Sequence, residues 1–267
     1  MRTIAVLATS FTVTAAAVVA SAALAPTATA HDAAVHAPAN PALATVAPAL
    51  GLYTDEVLFG RVWADAALSL RDRSLLTVAA LVARSEDEGL SEYIDIALEN
   101  GVTAGEVSET LTHLAFYAGW PNAMMAAKAA APVFQAHGVA LADLPAADPA
   151  DMLPLHQAAE GLRRSFGEAR RGGVETQVAG DTAERLLLHL WRRPALTPRD
   201  RSLVTVAALV SIGRVDRLPF HLSRAIDDGL TKDEATAALA HLSFYAGWPN
   251  VLSAMPVAEA VFESRGE

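Results

Sequence analysis

Two blocks of this chain recur 128 residues later with no insertion between them, and that repeat limits the fold more than any other feature. Arg71-Asp72-Arg73-Ser74-Leu75 returns as Arg199-Asp200-Arg201-Ser202-Leu203. Phe116-Tyr117-Ala118-Gly119-Trp120-Pro121-Asn122 returns as Phe244-Tyr245-Ala246-Gly247-Trp248-Pro249-Asn250. Trp63 and Trp191 stand at the same shift, so the correspondence begins before the arginine motif. The period is too long for a solenoid unit and marks a duplicated domain. A chain of 267 residues accommodates two small domains. Each buries only a modest core unless the two pack together. The copies differ at one position of chemical consequence, where the second carries His221 and the first Tyr93.

Inside each copy the signals are helical. Thr197-Pro198-Arg199-Asp200 combines an N-cap threonine, a proline at the first helical position and an acid in the first turn. Ser69-Leu70-Arg71-Asp72 repeats this without the proline. The run Leu203 to Val210 is nearly all apolar and rich in β-branched residues, but its cap and length predict a buried helix rather than a strand. Asn100-Gly101 and Asp228-Gly229 read as helix ends closed by a left-handed glycine. Thr103-x-x-Glu106 and Thr231-x-x-Glu234 then open a further helix as capping boxes. Alanine richness supports helix throughout, and no hairpin or alternating pattern competes. The expected fold is all-α, twice.

The N-terminus has the form of an export signal. Arg2 supplies a positive start, Ile4 to Ala25 an uncharged and largely apolar run, and Ala28-Thr29-Ala30 a small-x-small cleavage site. Cleavage would release a periplasmic or secreted chain beginning near His31, free of the membrane. Left uncut, the run is long enough for an anchor, since ~20 residues span a bilayer. The expected layout is a signal peptide over 1–30, a flexible Ala/Pro-rich lead-in over 31–52, a first repeat over 53–138, a linker over 139–180 and a second repeat over 181–267. The linker holds the Pro- and Asp-rich stretch Leu141 to Pro154 and a basic cluster of Arg163, Arg164, Arg170 and Arg171. A net charge of −10 argues against nucleic acid or an anionic membrane as partner. The absence of cysteine removes disulfides, although an export route would permit them.

Chemistry-bearing residues cluster on the motif helices. Glu234, His241 and Tyr245 lie within one helical face, as do Glu106, His113 and Tyr117, and such a stripe is suited to proton handling. The structural alternative is that each glutamate only closes its capping box and each histidine packs in a core or interface. Arg73 and Arg201 are candidates for bidentate carboxylate binding, with Arg199 beside them; ion pairs with Asp72 or Asp200 are the alternative. The aromatics around Trp248 either build a turn or line a pocket. No cysteine, no His-x-x-x-His pair and no dedicated His/acid spacing points to a metal. A Gly-rich phosphate loop and a Gly-x-Ser-x-Gly elbow are likewise missing.

Taken in order, Arg201, Leu218-Pro219-Phe220-His221, Gly229-Leu230-Thr231-Lys232-Asp233-Glu234 and Tyr245-Ala246-Gly247-Trp248-Pro249 resemble the carboxymuconolactone decarboxylase family. Its pattern is an Arg-led helix, then Leu-x-x-His, Gly-x-Thr-x-x-Glu and Tyr-x-Gly-x-Pro. Both repeats match except at the histidine. The resemblance implies tandem alkylhydroperoxidase D-like helical domains, chemistry without a cofactor, and rings, here a homo-oligomer of three two-domain chains. It also implies His221 as acid/base, Arg201 as carboxylate anchor and Glu234 as assistant. Arg199, His241, Tyr245, Trp248, Arg73, Glu106 and His113 are its candidate substrate-binding groups. The superfamily's peroxidase branch uses Cys-x-x-Cys four residues before the histidine; here those positions hold Arg214 and Arg217. Without a thiolate, peroxide reduction lacks its nucleophile.

The expected activity is therefore decarboxylation or isomerisation of a small carboxylated lactone. The alternative is an exported binding or assembly protein that keeps the scaffold without catalysis. Neutral imidazole both accepts and donates protons near pH 7, which is why His221 carries the first of these expectations.

Overall fold

The computed structural model describes residues 40–157, 160, 161, 178 and 180–266. The expected signal peptide, the start of the expected lead-in and the arginines at 163, 164, 170 and 171 lie outside the described residues. Among the described residues the regular structure is helical throughout, with no strand. Four long helices form each repeat. The first has α1 (Leu70–Ala83), α2 (Leu90–Glu99), α3 (Ala104–Tyr117) and α4 (Trp120–Ala136). The second has α5 (Pro198–Ser211), α6 (Leu218–Asp227), α7 (Lys232–Tyr245) and α8 (Trp248–Arg265). A π-helical segment precedes each tryptophan, Tyr53–Val62 before Trp63 and Thr182–Leu187 before Trp191.

The helix ends follow from the sequence. Ser69 Oγ accepts from the Asp72 amide and Thr197 Oγ1 from the Asp200 amide, both at 3.1 Å, which fixes the starts of α1 and α5. Thr103 and Thr231 form complete capping boxes with Glu106 and Glu234. Gly101 and Gly229 take φ of 90° and 104°, a region that a side chain disfavours, and so separate α2 from α3 and α6 from α7. Residues 40–52 carry two short helical turns, Leu43–Val46 and Pro48–Leu52, with no buried residue. Part of the expected linker is tied to the second repeat. The Leu153 amide donates to the Arg192 carbonyl, and Arg193 donates to the carbonyls of Ala146 and Ala147.

The two repeats share one hydrophobic core. α1 and α5 pack on each other, and nearly every residue of both is buried. The outer helices cross over: α3 packs against α5, and α7 against α1. Each repeat thereby completes the other.

The crossing is fixed by ions as well as by apolar contact. Arg71 pairs with Asp72 at 3.1 Å, with Asp200 at 2.8 Å and with Glu106. Arg199 pairs reciprocally with Asp200 at 3.0 Å, Asp72 at 2.7 Å and Glu234 at 3.1 Å. Asp72 and Asp200 are almost fully buried. Burial lowers the pKa of both arginines, and their hydrogen bonds and charge pairing more than reverse it, so both are held above the ordinary value. Removing one of the buried carboxylates leaves a partly buried guanidinium short of its partner. Asp200→Asn is expected to lower the unfolding free energy by about 3 kcal/mol, and Asp72→Asn by a similar amount. In urea titrations the double variant is expected to lose less than the sum, because both acids serve both arginines.

Candidate functional site

The crossover builds two related clusters, each drawing its histidine and tyrosine from one repeat and its arginine, threonine and tryptophan from the other. In the first, Tyr117 accepts from Trp191 Nε1 at 2.8 Å, and His113 Nε2 meets Thr205 Oγ1 at 2.7 Å. In the second, Tyr245 accepts from Trp63 Nε1 at 2.8 Å, and His241 Nε2 meets Thr77 Oγ1 at 2.8 Å. Each threonine hydroxyl donates to a carbonyl one turn back, Thr205 to Arg201 and Thr77 to Arg73. Its one hydrogen is therefore committed, and its oxygen must accept from the imidazole. Both rings are thus protonated at Nε2, leaving Nδ1 as an acceptor.

The first cluster is charge-rich and closed on itself. Arg201 is fully buried, donates to Glu109 at 2.9 Å and reaches His113 Nδ1 at 3.3 Å. Glu109, also fully buried, accepts from Arg193 Nε at 2.9 Å as well. His221 stacks on Trp191 with ring centroids 5.6 Å apart and meets Tyr117 edge-on at 5.4 Å. The Arg224 guanidinium lies 3.9 Å from the Trp191 ring centroid, a cation–π contact. Among the described residues His221 Nδ1 and Arg224 Nε and Nη1 have no hydrogen-bond partner.

The second cluster keeps the scaffold and loses the plug. Ala237 stands where the first repeat has Glu109, Asp65 where the second has Arg193, and Ile96 where it has Arg224. Arg73, 1% exposed, donates from Nη2 to the Asp65 carbonyl at 2.6 Å. Its Nε has no partner among the described residues, nor has His241 Nδ1. Tyr93 occupies the position of His221, and its hydroxyl is 3.4 Å from that of Tyr245. Arg73 and His241 both line a cavity of about 1080 Å³ that runs out between α7 and α8.

The sequence-derived candidates thus separate into three groups. Arg73, His241 and Tyr245 come together at the open cluster, with Trp248 on the cavity wall and 56% exposed. Arg201, His113 and His221 come together at the closed one. Arg199, Glu106 and Glu234 belong to the ionic crossing, where each glutamate holds its helix cap. The sequence reading missed Glu109, Arg193, Arg224 and Asp65. The same 128-residue comparison that exposes Tyr93 against His221 also exposes Glu109 against Ala237 and Arg193 against Asp65. Among the described residues no three His, Cys, Asp or Glu groups converge to hold a metal ion.

His113, His221 and His241 are neutral at pH 7. Burial, joined by the Arg224 charge, drives His221 down to about 3; burial and the Arg73 charge do the same to His241. His113 is pushed well below its usual value by burial and by Arg201. Since the unfolded value is ~6.5, the unfolded chain takes up protons that the folded chain refuses. Stability is therefore fully present above about pH 6.5 and declines as pH falls towards 3, by up to about 1.4 kcal/mol per pH unit per histidine. In urea unfolding between pH 6.5 and 5, His241→Phe is expected to remove about one proton from this dependence.

Fold and site together define a tandem all-helical protein whose sites pair a buried guanidinium with a neutral imidazole across two repeats. The sequence profile of the carboxymuconolactone decarboxylase family matches residues 48–132 and 179–260, more than half of the chain, and the chain belongs to that family. Over 77 residues it is 46% identical to the 4-carboxymuconolactone decarboxylase of Acinetobacter baylyi, a stretch that is 29% of this chain and 58% of that protein. Over 70 residues it is 33% identical to the nitrosuccinic acid decarboxylase of Metarhizium robertsii, covering 26% of this chain and 49% of the relative. The chain thus spans about half the length of these curated relatives. Both are named as decarboxylases, which supports decarboxylase-like function in a carboxy-lyase family.

Proposed function

We propose that the chain is a decarboxylase-type lyase for a small carboxylated acid, needing no cofactor, with its reaction centre at Arg73 and His241. One observation carries the reading. A guanidinium and an imidazole lone pair, both buried and both short of partners, open into the same cavity, whereas their counterparts in the other cluster bond to Glu109 and to each other. Loss of CO₂ breaks a carbon–carbon bond and leaves its electron pair on the substrate, delocalised onto a conjugated carbonyl oxygen. The Arg73 guanidinium, with several donors, anchors the acid and stabilises that oxygen through charge-assisted hydrogen bonds. The largely apolar wall favours neutral CO₂ over a carboxylate. Once the anionic acid is bound, His241 Nδ1 takes up one proton from solvent and delivers it to the carbon that CO₂ has left, so one proton is consumed for each CO₂ released. A bound anion beside the ring opposes its desolvation and raises its readiness to hold that proton.

Arg73→Met is expected to lower kcat/KM about 100- to 1000-fold on a carboxylated lactone, and His241→Asn about 100-fold, with far-ultraviolet circular dichroism unchanged. A second reading puts the proton transfer at His221, favoured by its unpartnered Nδ1 and by Arg224 beside it, whose Nε faces Asp228 at 3.6 Å and whose Nη1 has no hydrogen-bond partner among the described residues. A collapse of turnover in His221→Ala, with His241→Asn near wild type, would select that reading. Saturable acid binding with no turnover of any lactone or β-keto acid leaves the non-catalytic binding protein.

Export through the N-terminal segment and assembly of three chains into a ring are proposed with this function. The segment's charge and apolar pattern supports the first, and the family resemblance the second. N-terminal sequencing of the mature protein is expected to begin near His31, and light scattering to give three chains per particle.

A further inference from the structure

The open cavity differs from its counterpart in its walls as well as its floor. Val251 and Met255 of α8 stand where α4 has Ala123 and Ala127, and Pro256 stands where α4 has Lys128. Together with Phe244, Leu252 and Phe262, these side chains make the wall above Arg73 largely apolar. The first repeat keeps Phe116, Met124 and Phe134 at three of these six positions and has two alanines and a lysine at the others. At about 1080 Å³ the cavity reaches the upper end of the ~300–1,000 Å³ that hold drug-sized ligands, far more than a small dicarboxylic acid fills. Its floor offers one buried cation. The cavity's other charged lining residues are Arg61, Asp65 and Glu259, one cation against two acids, so a second carboxylate meets no net positive charge. Next to the cation, His241 Nδ1 presents a lone pair that lacks a donor.

We infer that this pocket takes a monocarboxylic acid whose conjugated carbonyl, in its enol form, sets a hydroxyl donor beside the carboxylate, and which carries a bulky apolar body, in preference to a small dicarboxylic acid; 2-hydroxyoctanoate is an unreactive stand-in for it. The inference rests on the assignment of the reaction to Arg73 and His241 and names the substrate class for that site. The carboxylate accepts from Arg73, filling the place that Glu109 fills for Arg201. The adjacent hydroxyl donates to His241 Nδ1, filling the place that the Arg201 Nη1 donor fills for His113. The apolar body lies along α8. His241 Nδ1 is open where His113 Nδ1 is met by Arg201 Nη1, and Arg73 lacks the carboxylate that Arg201 Nη2 finds in Glu109, although Nε is unpartnered in both arginines among the described residues.

Calorimetric titration of the full mature chain with 2-hydroxyoctanoate, octanoate and succinate tests this. 2-Hydroxyoctanoate is expected to bind, octanoate about 10-fold more weakly for want of the donor, and succinate at least about 100-fold more weakly. Ala237→Glu rebuilds the plug of the other cluster and is expected to abolish binding while keeping the thermal midpoint within a few degrees. Arg73→Gln is expected to weaken binding about 10- to 100-fold. If it does not fold, Ala237→Glu decides alone. Succinate binding as tightly as 2-hydroxyoctanoate, with both lost in Ala237→Glu, overturns the substrate class and leaves the reaction site standing. Acid binding and lactone turnover that both survive Ala237→Glu overturn the two together. An affinity that rises only as the protein is diluted to a smaller species puts a second copy in the groove and overturns the inference.

Discussion

The crosswise ion pairing between Arg71 and Arg199 and the acids Asp72 and Asp200 is the constraint on which the rest of the structure depends. Each arginine binds an acid of its own repeat and one of the other, so neither charge set is satisfied until both repeats are folded and docked. Because these residues open α1 and α5, the pairing sets how the two central helices meet. That geometry carries α3 onto α5 and α7 onto α1. His113 then reaches Thr205, and His241 reaches Thr77, over 92 and 164 residues of sequence. Without that exchange, each imidazole would sit in a core with no partner for Nε2.

The duplication lets the two composite clusters diverge while the scaffold holds. The tryptophan–tyrosine and threonine–histidine bonds are the same in both. What differs is the charge around the arginine. Glu109 and Arg193 convert the Arg201 side into a buried ionic knot, which stabilises position but occupies the guanidinium. Ala237 and Asp65 leave Arg73 buried with the Asp65 carbonyl as the one hydrogen-bonded partner of its guanidinium among the described residues, and a buried cation in that state favours an anionic neighbour. One copy of the fold spends its charge on cohesion and the other leaves it open to the cavity.

Much of the helical layout was legible in the sequence, because local chemistry decides it. Serine and threonine caps, the two capping boxes and the glycines with positive φ all act within a few residues. The site was legible only in part. The stripe of Glu234, His241 and Tyr245 is real as a helical face, and His241 and Tyr245 do share a cluster. Glu234 does not join them, since its capping role holds it at the far end of α7 within reach of Arg199. The contrast of Tyr93 with His221 drew attention to a single position, yet the pocket depends equally on Ala237, whose importance is the absence of a carboxylate. An alanine carries no chemical signal of its own. Only its place beneath Arg73 gives it one.

By itself the sequence determined a duplicated all-helical scaffold, many of the helix ends, the lack of any thiol, and a short set of arginines and histidines able to do chemistry. Those properties depend on residue type and short-range spacing. The tertiary structure decided which histidine meets which arginine, which guanidinium is neutralised and which opens into a cavity. These depend on residues brought together across the two repeats, where burial removes water and makes each missing or added carboxylate count. The interchange of α3 and α7 between repeats is the physical reason: each site is written half in one copy and half in the other.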